Sequence, residues 1–408
     1  MIGYLFCILY ASIISAESIP ELNLLHVVFT HKPYAPILDI IGEPVTNFPR
    51  KLTYDYFNSA PFNMPNAGKL NMYNLGVYLR ETYGKFLGTI YTDEIMRMRT
   101  GGYPLSMISG QLVNAGLWPP VESQIWDKNI NWQPISSDYV SMEKDTLLLG
   151  TECPNFMFEM EEIIKTREIR NLLAHYIPLF DYVSHYTGTT VHRPSELALL
   201  FATLETIADL NMTLPHWTSD IFPHGGLFNV TLLEYDLLSQ TNLQKQLNGG
   251  TLLKDIIGNT LRHIQGTISQ GRKLILYSGN DKNIAGVLKN LNVWSPHVPN
   301  EAAAIIFEVY AFNNSRNQTY GVKINYYTGV DGDTIPLRLP NCTEVCPLTK
   351  FINLVFDSIP QNEDLLCGRP IPRFHKDLDY GNYSPSFKPG NILIFSLVVL
   401  LISAHNLI

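Results

Sequence analysis

The stretch LLHVVFTHKPYAP, residues 24–36, decides the fold of this chain. Its first six residues form an apolar and β-branched run, interrupted only by His26, which is typical of a strand buried in a parallel sheet. A polar loop with His31 and Lys32 follows at once. In such sheets ligands bind at loops beyond the carboxyl ends of the strands, so this loop is the first place to look for chemistry.

Other apolar runs predict the rest of the sheet and its helices. Further strands are predicted at KLILYS (273–278) and AAAIIFEVYAF (302–312), and helices at 70–88, 156–186, 194–210 and 283–291. Strands that alternate with helices predict an α/β fold with a core sheet flanked by helices, and the helices near 150–230 predict a smaller helical insertion. The loop after Ser278 becomes the second candidate site.

The bulk composition is that of a globular protein and excludes some function classes. The chain has 408 residues, 46% of them hydrophobic, which is enough for a large core. Its formal charge of -8 is spread along the chain without a cluster of Lys and Arg, so a nucleic acid partner is not expected. A Gly-rich phosphate loop is absent from the sequence, and neither a cofactor nor a metal is predicted.

Both ends of the chain have the character of targeting segments. Residues 1–16 are apolar and end in small residues, which predicts a signal peptide and a mature domain over 17–385. Residues 386–408 form a hydrophobic tail without a basic segment after it, which predicts a cleaved GPI signal and so membrane attachment. A single membrane span and a buried C-terminal element are the alternatives. The expected location is the secretory pathway, outside the cell or at its surface, with the lysosome as an alternative.

The cysteines point to an oxidising compartment. Cys7 lies in the predicted signal, which leaves an even set in the mature chain: Cys153, Cys342, Cys346 and Cys367. Three pairings are allowed by this count. The close spacing of Cys342 and Cys346 favours a small loop between them, which leaves Cys153 to pair with Cys367.

Sequons for N-glycosylation agree with passage through the secretory pathway. The favoured sites are Asn211, Asn229, Asn313 and Asn317. Two further sequons, at Asn341 and Asn382, are less favourable, because Asn341 is followed by Cys342 and Asn382 lies close to Pro385.

Motifs along most of the mature chain resemble those of the histidine acid phosphatase family. LLHVVFTHKPYAP is similar to the family pattern VVFRHGxRxP, and ILYSGNDKNIA is similar to YSAHDTT. Supporting matches are LGVYLRETYG, IYTDEI, NAGLWPP, IIFEVY and the CxxxCPL that begins at Cys342. The resemblance includes the prostatic, lysosomal and insect acid phosphatases, and it implies an α/β core with an inserted helical domain. A homodimer is also an expectation from this resemblance.

The resemblance assigns roles to two residues that this chain retains. It implies that His31 is the nucleophile, which attacks phosphorus and becomes a phosphohistidine, and that Asp281 is the acid that protonates the leaving alcohol. The positions that cradle phosphate have changed: Thr30, Tyr34 and Leu105 stand where arginines are expected, Asn280 where a second histidine is expected, and Lys32 where a glycine is expected.

Loss of the arginines predicts impaired catalysis, since phosphoryl transfer depends on positioning and on charge stabilisation at the phosphoryl oxygens. Lys32 and Lys282 are the candidate replacements, although lysine lacks the bidentate fork of arginine and both side chains are alternatively solvated surface charges. The leading hypothesis is therefore a secreted or cell-surface pseudophosphatase that binds an unidentified small molecule or protein. The alternatives are an acid phosphomonoesterase of low or altered activity and a binder of an apolar small molecule.

Purely structural roles are also open to these residues. His31 alternatively serves as a hydrogen-bonded loop histidine, and Asp281 is predicted to be the N-cap of the helix NIAGVLKNL. Leu105 and Tyr34 make the pocket more apolar, and the favoured interpretation is that they fill it.

Overall fold

The computed structural model describes residues 20–33, 64–313, 318–329 and 332–368. The predicted signal peptide and C-terminal tail lie outside the described residues, as do Tyr34, Asn317 and Asn382. Nothing in the fold therefore bears on those predictions.

One mixed sheet organises the chain. Its strands are β1 (Glu21–Phe29), β2 (Met96–Thr100), β3 (Asp138–Tyr139), β4 (Leu274–Ser278), β5 (Ala304–Asn313), β6 (Gln318–Tyr327), β7 (Thr334–Leu337) and β8 (Cys346–Pro347). The strand order is β3-β2-β4-β1-β5-β6-β7, and β8 pairs with β6. The strands from β3 to β1 are parallel, whereas β5, β6 and β7 are antiparallel.

Helices cover both faces of this sheet or form the segment inserted between β3 and β4. They are α1 (Asn66–Leu87), α2 (Pro104–Leu117), α3 (Pro154–Ile164), α4 (Arg167–Ala174), α5 (Ile177–Thr187), α6 (Pro194–Asp209), α7 (Gly226–Leu237), α8 (Asn242–Lys245), α9 (Thr251–Ile264), α10 (Asp281–Asn290), α11 (Leu348–Val355) and α12 (Glu363–Cys367). Short 3₁₀ turns occur at Glu122–Gln124, Met142–Lys144, Gly150–Glu152, His216–Thr218 and Phe356–Ser358. The predicted α/β class is confirmed.

The sequence of strand β1 explains why helices pack on both faces of the sheet. Its side chains alternate between the two faces of the sheet. Leu25, Val27 and Phe29 pack against α1 and α2 on one face. Leu24 and Val28 pack against α9, α10 and α11 on the other. Because both faces are covered, the strand reads as a nearly continuous apolar run.

The predicted helical segment appears as α3 to α7. These helices include a hydrophobic cluster that is separate from the two sheet-facing clusters and centres on α6 and α7, with Leu197, Leu204 and Leu227 fully buried. The boundaries of a distinct inserted domain at 150–230 stay a prediction.

Two disulfides tie loops to this framework, in the predicted pairing. Cys153, at the start of α3, is bonded to Cys367 at the end of α12, with 4.9 Å between the Cα atoms. Cys342 is bonded to Cys346 beside β8. The first bond joins residues 214 positions apart and so connects the middle of the chain to its later part.

Surface features agree with the glycosylation predictions without testing them. Asn211, Asn229 and Asn313 are exposed, as glycan attachment requires. Across the described ranges, no helix is both long enough and apolar enough to cross a membrane.

His26 is a buried histidine inside β1 and has a consequence for stability. It is fully buried, with Nε2 at 3.0 Å from the Thr260 hydroxyl. That hydroxyl donates to the Ile256 carbonyl, so it accepts a hydrogen bond from Nε2, and Nδ1 has no partner among the described residues. Burial, and then the nearby His263, lower the pKa of His26 from 6.5 to about 3.

We expect this histidine to make the protein less stable as pH falls. Its folded pKa lies below its unfolded value, so between 6.5 and 3 the unfolded state takes up the proton first and the free energy of unfolding decreases. His26→Leu should remove about 2 kcal/mol of the loss that wild type suffers between pH 6.5 and pH 5. Urea unfolding at both pH values measures this. His216→Leu, at an exposed histidine, is the control, and equal losses in wild type and His26→Leu would contradict the assignment.

Candidate active site

Three loops meet at the carboxyl ends of β1, β4 and β2. Phe29 and Thr100 both lie opposite Ser278 in parallel register, so the three strands end at one level. The Gly279 amide donates to the Phe29 carbonyl at 2.9 Å, and the Gly101 amide donates to the Ser278 carbonyl at 3.2 Å. The loops after Phe29 and Ser278, which the sequence predicted as candidate sites, therefore lie next to each other. The loop after Thr100 lies beside them.

His31 lies buried at this junction, with 4% of its surface exposed. Its Nδ1 is 2.9 Å from the Lys32 carbonyl oxygen, which only accepts hydrogen bonds, so Nδ1 carries the proton of the neutral ring. Nε2 then keeps a lone pair, and the Tyr103 hydroxyl faces it at 3.3 Å. Burial lowers the pKa of His31, and the Lys32 carbonyl and Asp281 offset only part of that effect. Burial therefore favours the neutral ring, which has the lone pair that a nucleophile needs.

Tyr103 lies just after strand β2, MRMRT at residues 96–100. The sequence did not predict this strand, because it lacks a long apolar run, and so Tyr103 was not identified as a site residue. Its ring meets the edge of His31 at a centroid distance of 5.7 Å. A Cβ atom on Gly101 would lie 2.5 Å from that ring, so the glycine makes room for it. Burial raises the pKa of Tyr103, which keeps its hydroxyl protonated.

Three residues have structural roles at positions where the resemblance implies phosphate ligands. Thr30 is fully buried, and its hydroxyl donates to the His31 carbonyl at 2.8 Å. Leu105, in the first turn of α2, is 8% exposed and belongs to the cluster around Phe29. Asn280 caps helix α10. Tyr34, the fourth such position, lies outside the described residues.

The N-cap of α10 corrects a prediction made for Asp281. Asn280 has extended backbone angles. Its side-chain oxygen accepts a hydrogen bond from the Asn283 backbone amide at 3.1 Å, and the Asn280 backbone amide donates to the Asn283 side-chain oxygen. Asp281 is the first helical residue, so the prediction that it is the N-cap is wrong by one position. The reciprocal pair satisfies backbone donors that Asp281 would otherwise have to reach.

Asp281 is instead held by a tyrosine from the inserted helices. The Tyr235 hydroxyl, on α7, donates to its Oδ2 at 2.7 Å. The carboxylate is close enough to act on the pKa of His31. The two residues that the resemblance assigns as nucleophile and acid are therefore brought into one site.

The candidate cations are already engaged by carboxylates. Lys32 Nζ lies 2.7 Å from Asp209 Oδ2, with only 15% of the lysine side chain exposed. Burial alone would lower the pKa of Lys32, but Glu205, Asp209 and Glu301 outweigh it and raise that pKa. Lys282 Nζ lies 3.7 Å from Glu152 Oε1 and is 37% exposed. The interpretation as a solvated surface charge therefore fits Lys282 better than Lys32.

Arg99, at the end of β2, does not supply the missing cation. One of its terminal nitrogens donates to Asp145 Oδ1 at 2.6 Å, and the other donates to the Thr100 carbonyl. Both side chains of this ion pair are buried. The guanidinium charge is thus neutralised within the protein before any ligand arrives.

A cavity of about 280 Å³ opens beside Asp281, between α6, α7 and the start of α10. Much of its wall is apolar, and no arginine is among the described residues that line it. The charged lining residues are Lys32, Lys282, Glu205, Glu234 and Asp281. Burial raises the pKa of Glu205 and of Glu234, although the lysines partly offset this. The two glutamates lie on helices far in sequence from both motifs, and sequence reasoning did not find them.

No metal site accompanies this cavity within the described ranges. The structure there holds no group of three or more His, Cys, Asp or Glu side chains arranged to bind a metal ion.

The capping role of Asn280 gives a direct test of this loop. Asn280→Ala should lower the free energy of unfolding by about 1 kcal/mol, because it removes the side-chain acceptor that the Asn283 amide shares with the Asn280 carbonyl. Asn280→Ser keeps a cap and should recover most of that loss. Urea unfolding of both variants measures the difference. An Asn280→Ala variant as stable as wild type would contradict the assignment of Asn280 as the cap.

Comparisons with known proteins agree with this architecture and with the motifs. Residues 50–326 match the histidine phosphatase superfamily, branch 2. Venom acid phosphatase Acph-1 of Apis mellifera is 35% identical over 351 residues, which cover 86% of this chain and 88% of that protein. Prostatic acid phosphatase of Homo sapiens is 27% identical over 90% of this chain and 92% of that protein. The human lysosomal acid phosphatase is 28% identical over 74% and 72%.

Solved structures share the fold at low sequence identity. The apo form of Hafnia alvei phytase has a TM-score of 0.59 and 16% identity, and the match covers 86% of this chain and 99% of that one. The phytase of Citrobacter braakii has a TM-score of 0.56 and 15% identity, over 85% and 99%. The family match and the 35% identical venom acid phosphatase confirm the resemblance found in the sequence, and the solved structures share the fold. The chain therefore belongs to the histidine phosphatase superfamily, branch 2.

Proposed function

We propose that this protein is a catalytically impaired, acid phosphatase-like binding protein. One observation carries the proposal. The side chains of Thr30, Leu105 and Asn280 are committed to a backbone hydrogen bond, a hydrophobic cluster and a helix cap. They have neither the charge nor the freedom to hold a phosphoryl group.

The electrostatics of the site support the same conclusion. A phosphoryl group in transfer spreads negative charge over its oxygens, and catalysis depends on cations placed against them. Lys32 and Lys282 are already paired with Asp209 and Glu152. Carboxylates line the adjoining cavity. A phosphate dianion would therefore meet repulsion where active relatives are expected to offer arginine.

A weak acid phosphomonoesterase is the second candidate, and the geometry of His31 favours it. Its Nε2 keeps a lone pair, and Asp281 lies near enough to influence its pKa. The nucleophile and the acid are thus both in place. Without the cradle they lack the groups that position and stabilise the phosphoryl transition state.

We also propose that the protein enters the secretory pathway. Two disulfides are typical of proteins made in an oxidising compartment. Relatives named as venom and lysosomal acid phosphatases support the same location.

Turnover of a generic aryl phosphate at acidic pH tests the proposed impairment. We expect a rate at least about a thousandfold below that of Apis venom acid phosphatase assayed in parallel, because one arginine alone can contribute 10³–10⁵ to phosphoryl transfer. His31→Ala should leave the residual rate unchanged, since that rate does not pass through a phosphohistidine.

The matched control is the thermal unfolding midpoint of wild type and His31→Ala, which must agree before the rates are compared. Turnover within tenfold of the venom enzyme that disappears in His31→Ala would contradict the proposal. A slower turnover that still depends on His31 would establish the weak phosphomonoesterase in its place.

A further inference from the structure

We propose that the cavity between α6, α7 and α10 binds an amphiphilic amine, a molecule with one ammonium group on an apolar body. The proposal rests on the proposed function, in which this cavity binds a ligand without phosphoryl transfer. It goes further by naming the chemistry of that ligand. Three features of the cavity carry it: an apolar wall, a buried carboxylate without a hydrogen bond, and carboxylates that outnumber the lysines.

The apolar wall comes from the inserted helices and the loop before β5. Its members include Leu199, Phe201, Ala202, Leu238 and Val298. A volume of about 280 Å³ is near the lower end of the range for ligand pockets. A small apolar body of medium length fits this space and gains affinity from its burial.

Glu234 supplies a carboxylate to which no described residue donates a hydrogen bond. Its side chain lines the cavity and is 9% exposed. Burial raises the pKa of Glu234; among the nearby charges, Lys282 lowers that pKa more than Asp281 raises it. Because burial disfavours the charged form, an added ammonium group beside Glu234 would stabilise its carboxylate.

The lysines of the cavity offset only part of this charge. Lys32 and Lys282 each have a carboxylate partner that is not among the lining residues, Asp209 for the first and Glu152 for the second. Glu205 adds a third carboxylate to the lining. Carboxylates therefore outnumber lysines around the cavity, which favours a cationic ligand over a neutral one and a neutral ligand over an anionic one.

Isothermal titration of the full chain with octylamine, octanol and octyl phosphate tests the proposal, because these probes share one apolar body and differ in charge. We expect octylamine to bind at least tenfold more tightly than octanol, and octyl phosphate to bind more weakly than either. Lengthening the amine from hexyl to octyl should strengthen binding about fourfold per methylene group, the value expected for burial of a CH₂.

Variants separate the two parts of the site. Glu234→Gln should weaken octylamine at least tenfold and leave octanol unchanged, whereas Glu161→Gln, at an exposed glutamate of α3, should change neither. Ala198→Leu fills the cavity at its wall and should weaken both probes. This second variant keeps the proposal testable if Glu234→Gln does not fold.

Two results would overturn the inference: octyl phosphate binding as tightly as octylamine, or a folded Glu234→Gln that binds octylamine like wild type. Failure here is distinct from failure of the proposed function. His31-dependent turnover of aryl phosphate together with amine binding would reject only the impaired catalysis. Absence of both turnover and amine binding would reject only the ligand class.

Discussion

The parallel register of β1, β4 and β2 is the constraint on which the site depends. These strands end level with one another, so the loops after Phe29, Ser278 and Thr100 begin within backbone hydrogen-bonding distance. His31, Tyr103 and Asn280 therefore meet although they are far apart in sequence. Burial of the strands on both faces fixes this register, since a slip of one residue would turn every apolar side chain to the opposite face.

The same constraint explains how these loops keep their geometry whichever side chains they carry. Backbone hydrogen bonds, such as the one from the Gly279 amide to the Phe29 carbonyl, set the geometry of the loops. These bonds do not depend on which side chains follow. Thr30, Leu105 and Asn280 have accordingly taken roles in local hydrogen bonding, packing and capping. The groups around His31 are a tyrosine hydroxyl and a set of lysine and carboxylate pairs, and we propose that this environment complements a cation better than a dianion.

Much of the fold and part of the site could be predicted from sequence. The apolar runs at β1 and β4 were visible because both strands are buried on both faces, and the motifs after them led to the two loops that carry His31 and Asp281. Strand β2 was not seen, because its alternating arginines hide the apolar pattern, and Tyr103 was missed with it. Glu205, Glu234 and Tyr235 lie on α6 and α7, whose position beside α10 depends on tertiary contacts that no local sequence pattern predicts. The cap of α10 shifted by one residue because Asn280 and Asp281 are both good N-cap residues, and only the reciprocal bond with Asn283 decides between them.

Binding of a phosphate mimic tests the central claim, that the site no longer complements a phosphoryl group, most directly. Wild type and His31→Ala would be titrated calorimetrically with inorganic phosphate and with vanadate at acidic pH, and Apis venom acid phosphatase would serve as the reference. The account predicts no saturable binding by this protein at concentrations that saturate the reference enzyme. Saturable binding of comparable affinity that is lost in His31→Ala would contradict it.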